Sequence, residues 1–318
     1  MSGPRRKPIG LRRIPGTARS VSALTISVDP PAVAPPSADA RTVALLRRAR
    51  DFGVTSYDVA GSRFSERAER LVATAFPTAD AELGVIVGRS LDSLGSERRS
   101  TDGSRPPENL VAALEASLEQ SRRRLAPVAI SVLEWDPGTD ASASGSPDTL
   151  PSRPPDVSTF GLQRAVPIRW PTTALPRVRA PSALYSAELS LLHHEVDALF
   201  EPVSAEGRVG LIARNPFSDG RLDGSRFAAT ARPTGPGAGP IDVRHLHEEF
   251  DPVLRLGFLT DGRRRTLAQA ALHYVLVRPW VVTAVVPLPN PERFEEIFGF
   301  GSSPPLDPEE LGRLYDLK

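Results

Sequence analysis

Cysteine is absent from this 318-residue chain, and lysine nearly so: Lys7 and Lys318 are the only two. Without a thiol there is no disulfide framework, no thiolate metal site and no cysteine nucleophile. Nor does any apolar run reach the roughly 20 residues that a membrane-spanning helix needs. Charge of one sign is missing too. The net charge is +1, and no like-charged block exceeds the length of Arg122-Arg123-Arg124 or Arg263-Arg264-Arg265, too short to suggest a nucleic-acid or membrane-surface partner. Histidines such as His193-His194 and His245 with His247 lack a companion carboxylate set at ligand spacing, so no metal is expected. These absences point to a soluble, cytoplasmic protein that acts on a small molecule.

What is present is a rhythm of strand-like and helix-like segments. Residues 1–19 are basic and rich in Pro and Gly, without the apolar core of a secretory signal, and read as a loose arm or a small hairpin. Residues 21–28 suit a first strand, 39–52 repeat apolar residues at helical spacing, and Gly53 stops that helix. Val54 to Val59 is short and β-prone. Gly61-Ser62 then turns into a helix that Ser65 can cap. The pattern continues with a strand ending in Arg89, a helix opened by Pro107 and carrying Leu110, Leu114, Leu118 and Leu125 on one stripe, and an apolar run into Glu134-Trp135.

Residues 136–157 are Asp, Ser, Gly, Pro and Thr with almost nothing apolar, and read as a flexible loop. Phe160-Gly161-Leu162 is the next candidate strand. Further on come a helix at 196–204, a strand at 209–213, a Gly-bearing loop at 216–224, a helix at 266–277, a last strand at 281–286 and helices from Pro291 and Pro308. Roughly eight strand-then-helix units predict a single-domain α/β fold over residues 20–317, the (β/α)8 TIM barrel. Such a barrel carries its site at the C-terminal ends of its strands. Asp58, Arg89 and Glu134, each at the end of a different strand, are therefore expected to converge.

Several of these segments resemble the aldo-keto reductase family. Residues 44–60, ending in Phe52-Gly53-Val54-Thr55-Ser56-Tyr57-Asp58-Val59-Ala60, look like its signature around the catalytic Asp. Leu114 to Leu125 resembles its helix before the fourth strand, and Val209-Gly210-Leu211-Ile212-Ala213-Arg214-Asn215-Pro216-Phe217 its seventh strand. Residues 269–276, Val285-Val286-Pro287 and Asn290-Pro291-Glu292-Arg293-Phe294 resemble its closing helix, strand and cofactor-side helix. The resemblance implies an NADPH-linked barrel that reduces aldehydes and ketones with Asp, Tyr, Lys and His at its centre. It also implies cofactor contacts from Asn215, Pro216, Phe217 and Gly220, with Arg293 toward a 2′-phosphate.

Three of the four catalytic positions depart from the family pattern. Asp58 matches the Asp, but Arg63 stands where the Tyr should be, Arg89 where the Lys should be and Glu134 where the His should be. A branch of the family that reduces carbon–carbon double bonds has Glu at the last position, yet keeps Tyr and Lys. Guanidinium is too weak an acid to protonate a developing alkoxide, so ordinary reduction is expected to be weak or lost. Tyr57 is no substitute, because neighbouring side chains of a strand point to opposite faces. On the cofactor side, Leu288 and Ile297 replace a common Gly and Asn, and Gln163-Arg164 and Ser186 fall nearest the nicotinamide-amide positions. Three readings stand: a divergent NADPH-dependent reductase; a barrel in which Asp58 and Glu134 do acid/base work on an anionic substrate held by Arg63 and Arg89; or a non-catalytic binding protein.

Overall fold

Eight short apolar segments, each too brief to stand alone, solve their backbone hydrogen bonding by closing on one another. The computed structural model describes residues 9–31, 33, 35–61, 65–90, 110–136, 162–167, 183–204, 207–230, 250–260, 262 and 265–317. Its parallel strands are β3 (Leu24–Ser27), β4 (Ser56–Asp58), β5 (Gly84–Ser90), β6 (Ala129–Asp136), β7 (Gln163–Pro167), β8 (Ala183–Glu188), β9 (Val209–Arg214) and β10 (Val281–Pro287). They pair in chain order, and β10 returns to β3, closing a (β/α)8 barrel. Two earlier strands, β1 (Leu11–Arg13) and β2 (Ser20–Ser22), form an antiparallel hairpin.

Helices cover the outside: α1 (Pro36–Asp51), α2 (Ser65–Ala75), α3 (Leu110–Leu125), α4 (Asp197–Ser204), α5 (Ser225–Thr230), α6 (Leu267–Leu276), α7 (Phe294–Phe298) and α8 (Pro308–Asp316). Their ends follow local chemistry. Proline at the first turn of α1 needs no N–H partner, and Gly53 leaves the helix at φ 95°, a left-handed conformation that glycine adopts without strain. Thr266 with Gln269 and Asp307 with Glu310 form capping boxes that start α6 and α8.

Strand alternation divides the core in two. Tyr57, Val85, Val87, Leu133, Tyr185 and Leu211 face the helices in the larger cluster. Ile86, Val132, Ala165, Leu184, Ile212 and Val285 fill the lumen. Ile14, at the hairpin, joins the lumen cluster at 1% exposure, so the hairpin stops the barrel from below. Part of the basic arm is thus built into the fold. The seam between arm and barrel falls inside the hairpin, because Ser20 pairs with Arg13.

Two expectations shift. The fifth barrel strand is Gln163–Pro167 and not the segment centred on Phe160-Gly161-Leu162, of which the first two residues lie outside the described ones. Hydrophobicity misplaces it because Gln163 is only half-buried beside Val132 and the strand gains its order by pairing with β6 and β8. The helix expected from residue 39 begins three residues earlier, at Pro36. Pro107, and residues 137–157 of the expected loop, lie outside the described residues.

The packing of Ile14 makes a prediction. Ile14→Ala should destabilise the protein by about 2–4 kcal/mol through lost burial and an unfilled lumen floor. Chemical denaturation would measure it, and a change within about 0.5 kcal/mol, as at a surface position, would mean the hairpin is detached in solution.

Candidate active site

At the C-terminal mouth of the lumen three charged side chains meet. Arg214, the last residue of β9, sends Nη1 to Asp58 Oδ2 at 2.9 Å and Nη2 to Asp58 Oδ1 at 3.2 Å. The same guanidinium reaches Glu134 Oε2 from Nη2 at 2.6 Å and from Nε at 3.0 Å, and Nε also donates to Ser186 Oγ at 2.7 Å. Three strands, β4, β6 and β8, therefore place one residue each around a single cation supplied by β9. Asp58 also accepts the backbone N–H of Ala60 at 3.2 Å. Burial alone would lower the pKa of Arg214, but the charges and hydrogen bonds of Asp58 and Glu134 outweigh it and raise the pKa above its ordinary value. The guanidinium stays charged at any working pH.

The two carboxylates differ in access. The Asp58 side chain is fully buried and both its oxygens are taken, whereas Glu134 retains 17% exposure and bonds only through Oε2. Glu134 Oε1 has no protein partner among the described residues. It is thus the carboxylate oxygen that this cluster leaves without a bond. Two carboxylates and one guanidinium also leave the described cluster with an excess negative charge.

Arg89 is not part of this cluster, which corrects the expected convergence. It pairs in register with Trp135 while Gly88 pairs with Glu134, so alternation turns Arg89 to the helix side. There its Nε donates to Ser117 Oγ at 2.6 Å, its Nη2 donates to Ser121 Oγ, and Glu69 lies 3.9 Å away. Glu69 is buried and also held by Arg124 and Ser121. Arg89 belongs to a clamp between β5, α2 and α3. The lumen-side neighbour, Gly88, cannot carry a side chain: a Cβ there would lie 2.7 Å from the Ala60 carbonyl oxygen. Arg63 lies outside the described residues.

All four tyrosines of the chain are described, and none lines the lumen. Tyr57 packs on Phe76 and donates to Leu46 O at 3.3 Å, and burial raises its pKa far above the ordinary phenol range. Tyr185 packs edge-on to Phe200, Tyr274 lies on α6 against Asp197 and Arg278, and Tyr315 is exposed. No lysine occurs among the described residues. The mouth thus lacks the phenol and the ammonium that carbonyl reduction in this fold is expected to use.

The proposed cofactor loop is folded largely on itself. Asn215, Ser218 and Asp219 adopt φ of 54°, 48° and 57°, and Gly220 follows at 83°. Asn215 Oδ1 accepts the Asp219 N–H at 2.7 Å, and its Nδ2 donates to Glu188 Oε1 at 2.7 Å. Pro216 and Phe217 are buried beneath the turn, and Phe217 O accepts Leu222 N–H at 3.0 Å. Gly220 is needed by the turn itself, since a Cβ would lie 2.2 Å from Ser225 Oγ. Arg293 Nε and Nη2 bond Glu296 Oε2 at 2.9 and 2.8 Å, while Nη1 donates to Asp223 O and lies 3.5 Å from Asp223 Oδ2. Two carboxylates already neutralise it, so these residues do not fit a 2′-phosphate.

Ser186 reaches the site through Arg214, whereas Arg164 faces the helix side near Tyr185. His193 lies 3.2 Å from Arg221 Nη2 and 3.7 Å from Glu188. His245 and His247 fall outside the described residues, among which no group of three or more His, Cys, Asp or Glu could hold a metal. Likewise no helix among the described residues is long and apolar enough to cross a membrane.

Sequence reasoning missed Arg214 as a site residue. Its signal was the one used for Asp58 and Glu134, a charge ending an apolar strand, here Val209-Gly210-Leu211-Ile212-Ala213. Two positions beyond Ile212, it shares that residue's lumen face.

Comparison with solved structures finds the same fold in aldo-keto reductases. An aldo-keto reductase from Bacillus halodurans in its holo form superposes with a TM-score of 0.66 at 18% identity, over 97% of this chain and 96% of that one. The glycerol dehydrogenase of Gluconobacter oxydans gives 0.68 at 17% identity, over 96% and 94%. A thermostable aldo-keto reductase in complex with the inhibitor epalrestat gives 0.66 at 18% identity, over 98% and 100%. At these identities the likeness is one of fold. No family model and no curated protein sequence matches the chain.

Removing the central cation separates the two clusters experimentally. Arg214→Met should cost about 3–5 kcal/mol, because it strands the buried Asp58 carboxylate. Arg89→Met should cost about 1–3 kcal/mol by loosening the α2–α3 clamp, and should leave any ligand affinity of the mouth unchanged. Denaturation curves and ligand titrations on both variants would check this, and equal effects on ligand binding would contradict the separation.

Proposed function

We propose that the chain is a divergent member of the aldo-keto reductase family, an oxidoreductase-type barrel in which ordinary carbonyl reduction is absent or very slow. The observation that carries this reading is the Arg214 bridge between Asp58 and Glu134, at a mouth to which no tyrosine and no described lysine contributes. Reduction of a carbonyl requires a proton for the developing alkoxide as well as a hydride. A guanidinium whose pKa is held above its ordinary value stabilises negative charge but surrenders no proton.

If a nicotinamide dinucleotide binds, the groups that would meet it are those of the Asn215–Gly220 turn, and it would supply or accept hydride. The pairing of Arg293 with Glu296 and Asp223 removes the basis for preferring the 2′-phosphorylated form. The ligand is a small molecule. With Arg89 behind the barrel wall and Arg214 neutralised, the described cluster favours a neutral or cationic hydrogen-bond donor over an anion.

A second reading is favoured by one atom, Glu134 Oε1. A half-open carboxylate oxygen, oriented by the Arg214 bonds to its partner Oε2, can accept a proton from a substrate without any nicotinamide. In that case Asp58 holds Arg214, Arg214 holds Glu134, and Glu134 alone touches substrate.

An aldehyde and ketone screen with NADH and NADPH tests the first reading. Turnover is expected to stay well below the roughly 1 s⁻¹ of a slow ordinary enzyme, and NADPH is expected to bind no more tightly than NADH. Glu296→Gln should free Arg293 and raise NADPH affinity selectively, about three- to tenfold for one recovered charge-assisted contact. Brisk reduction of a simple aldehyde by the unmodified protein would overturn the reading.

A further inference from the structure

The lumen floor is stopped by the β1–β2 hairpin, and beside that hairpin lies a cleft of about 360 Å³, on the opposite side of the lumen from the Arg214 cluster. Its walls are apolar: Leu276, Val277, Phe298, Phe300, Pro305 and Leu306. Two of its lining residues, Leu11 at 61% and Val277 at 59%, are among the most exposed large hydrophobic side chains described. Cavities of about 300 Å³ and upward hold small organic ligands.

Two lining residues are titratable, Arg12 and His273. His273 is uncharged at neutral pH, because burial lowers its pKa, and its Nε2 is engaged with Ser303 Oγ at 2.9 Å. Arg12 carries the one charge. Its guanidinium donates to the Arg278 carbonyl at 3.0 Å, the Val281 carbonyl at 2.6 Å and the Leu276 carbonyl. No carboxylate among the described residues pairs with it. Arg12 is thus a partly buried cation without a counter-ion among the described residues.

Its bonds to the carbonyls of Leu276 at the end of α6, Arg278 beyond it and Val281 in β10 account for three of its five N–H groups. The remaining two, on Nε and Nη2, have no acceptor among the described residues, and Arg12 is the one arginine that lines the apolar cleft. A carboxylate offers two acceptors and the missing negative charge, and apolar walls suit a hydrocarbon or aryl tail. We propose that this cleft binds a small apolar monocarboxylate, with its head group on Arg12 and its tail against Leu276, Phe298 and Phe300. The site is separate from the barrel mouth and does not depend on what the mouth does.

Calorimetric titration of the full chain with octanoate, and with 1-octanol as the uncharged control, tests it. Octanoate should bind one equivalent, and Arg12→Met should weaken it about tenfold or more while leaving octanol unchanged. Because Arg12→Met also removes the carbonyl bonds of Arg12, Gly301→Phe serves as a second variant. A Cβ at Gly301 meets nothing within 4 Å, so the ring can fill the cleft without touching the Arg12 bonds. It should abolish octanoate binding in a folded protein. Failure of octanoate to bind, equal affinity for octanol, or binding that survives Gly301→Phe would each overturn the proposal.

Discussion

Arg214 holds the mouth of this barrel together. Its guanidinium bonds residues 156 and 80 positions away in the chain, so it ties β4, β6 and β9 at one level of the lumen. Desolvating three charges is costly, and the arrangement persists only because each oxygen of Asp58 and Oε2 of Glu134 is matched to a guanidinium N–H. The same bonds decide the chemistry. A cation fixed by two carboxylates polarises and orients, but it neither donates a proton nor swings toward a substrate. Among the described residues, Oε1 of Glu134 is the carboxylate oxygen that the cluster leaves without a bond.

Arginine plays the same part elsewhere in a chain with almost no lysine. Arg89 and Arg124 converge on buried Glu69 between α2 and α3, Arg278 bonds Asp197 and stacks on Tyr274, and Arg265 joins Glu310 to the carbonyls of Leu259, Pro304 and Pro305. A planar group with five donors can satisfy several acceptors at once where a lysine would satisfy fewer. This accounts for why charged residues here sit inside helix–strand seams. Arg12 and Arg47, by contrast, bond backbone carbonyls and meet no acid among the described residues.

The barrel therefore has two unlike ends. The mouth is crowded with mutually satisfied charge, and Gly88, pressed against Ala60, keeps β5 from adding a side chain there. The floor is apolar, stopped by Ile14 and flanked by a cleft whose one arginine meets no carboxylate among the described residues. The frame is a barrel of the fold seen in solved aldo-keto reductases, and among the described residues no tyrosine or lysine reaches its mouth. The floor offers a second place where a ligand could act on the fold.

The sequence by itself determined the strand–helix rhythm, the closure into eight units, the caps at Gly53, Thr266 and Asp307, and the placement of Asp58 and Glu134 at strand ends, because these depend on local spacing and propensity. It also determined that the only two lysines, Lys7 and Lys318, stand at the two ends of the chain, whereas the structure showed where the four tyrosines lie. Tertiary structure alone decided which face each strand end presents. Arg89 looked equivalent to Glu134 in one dimension, yet a register that pairs it with Trp135 turns it outward, while Arg214 turns inward. A one-residue change of phase reverses a strand side chain, and that phase is set by pairing between strands distant in sequence. The strand at residues 163–167 was hidden for a related reason: its order comes from its neighbours, and not from its own hydrophobicity.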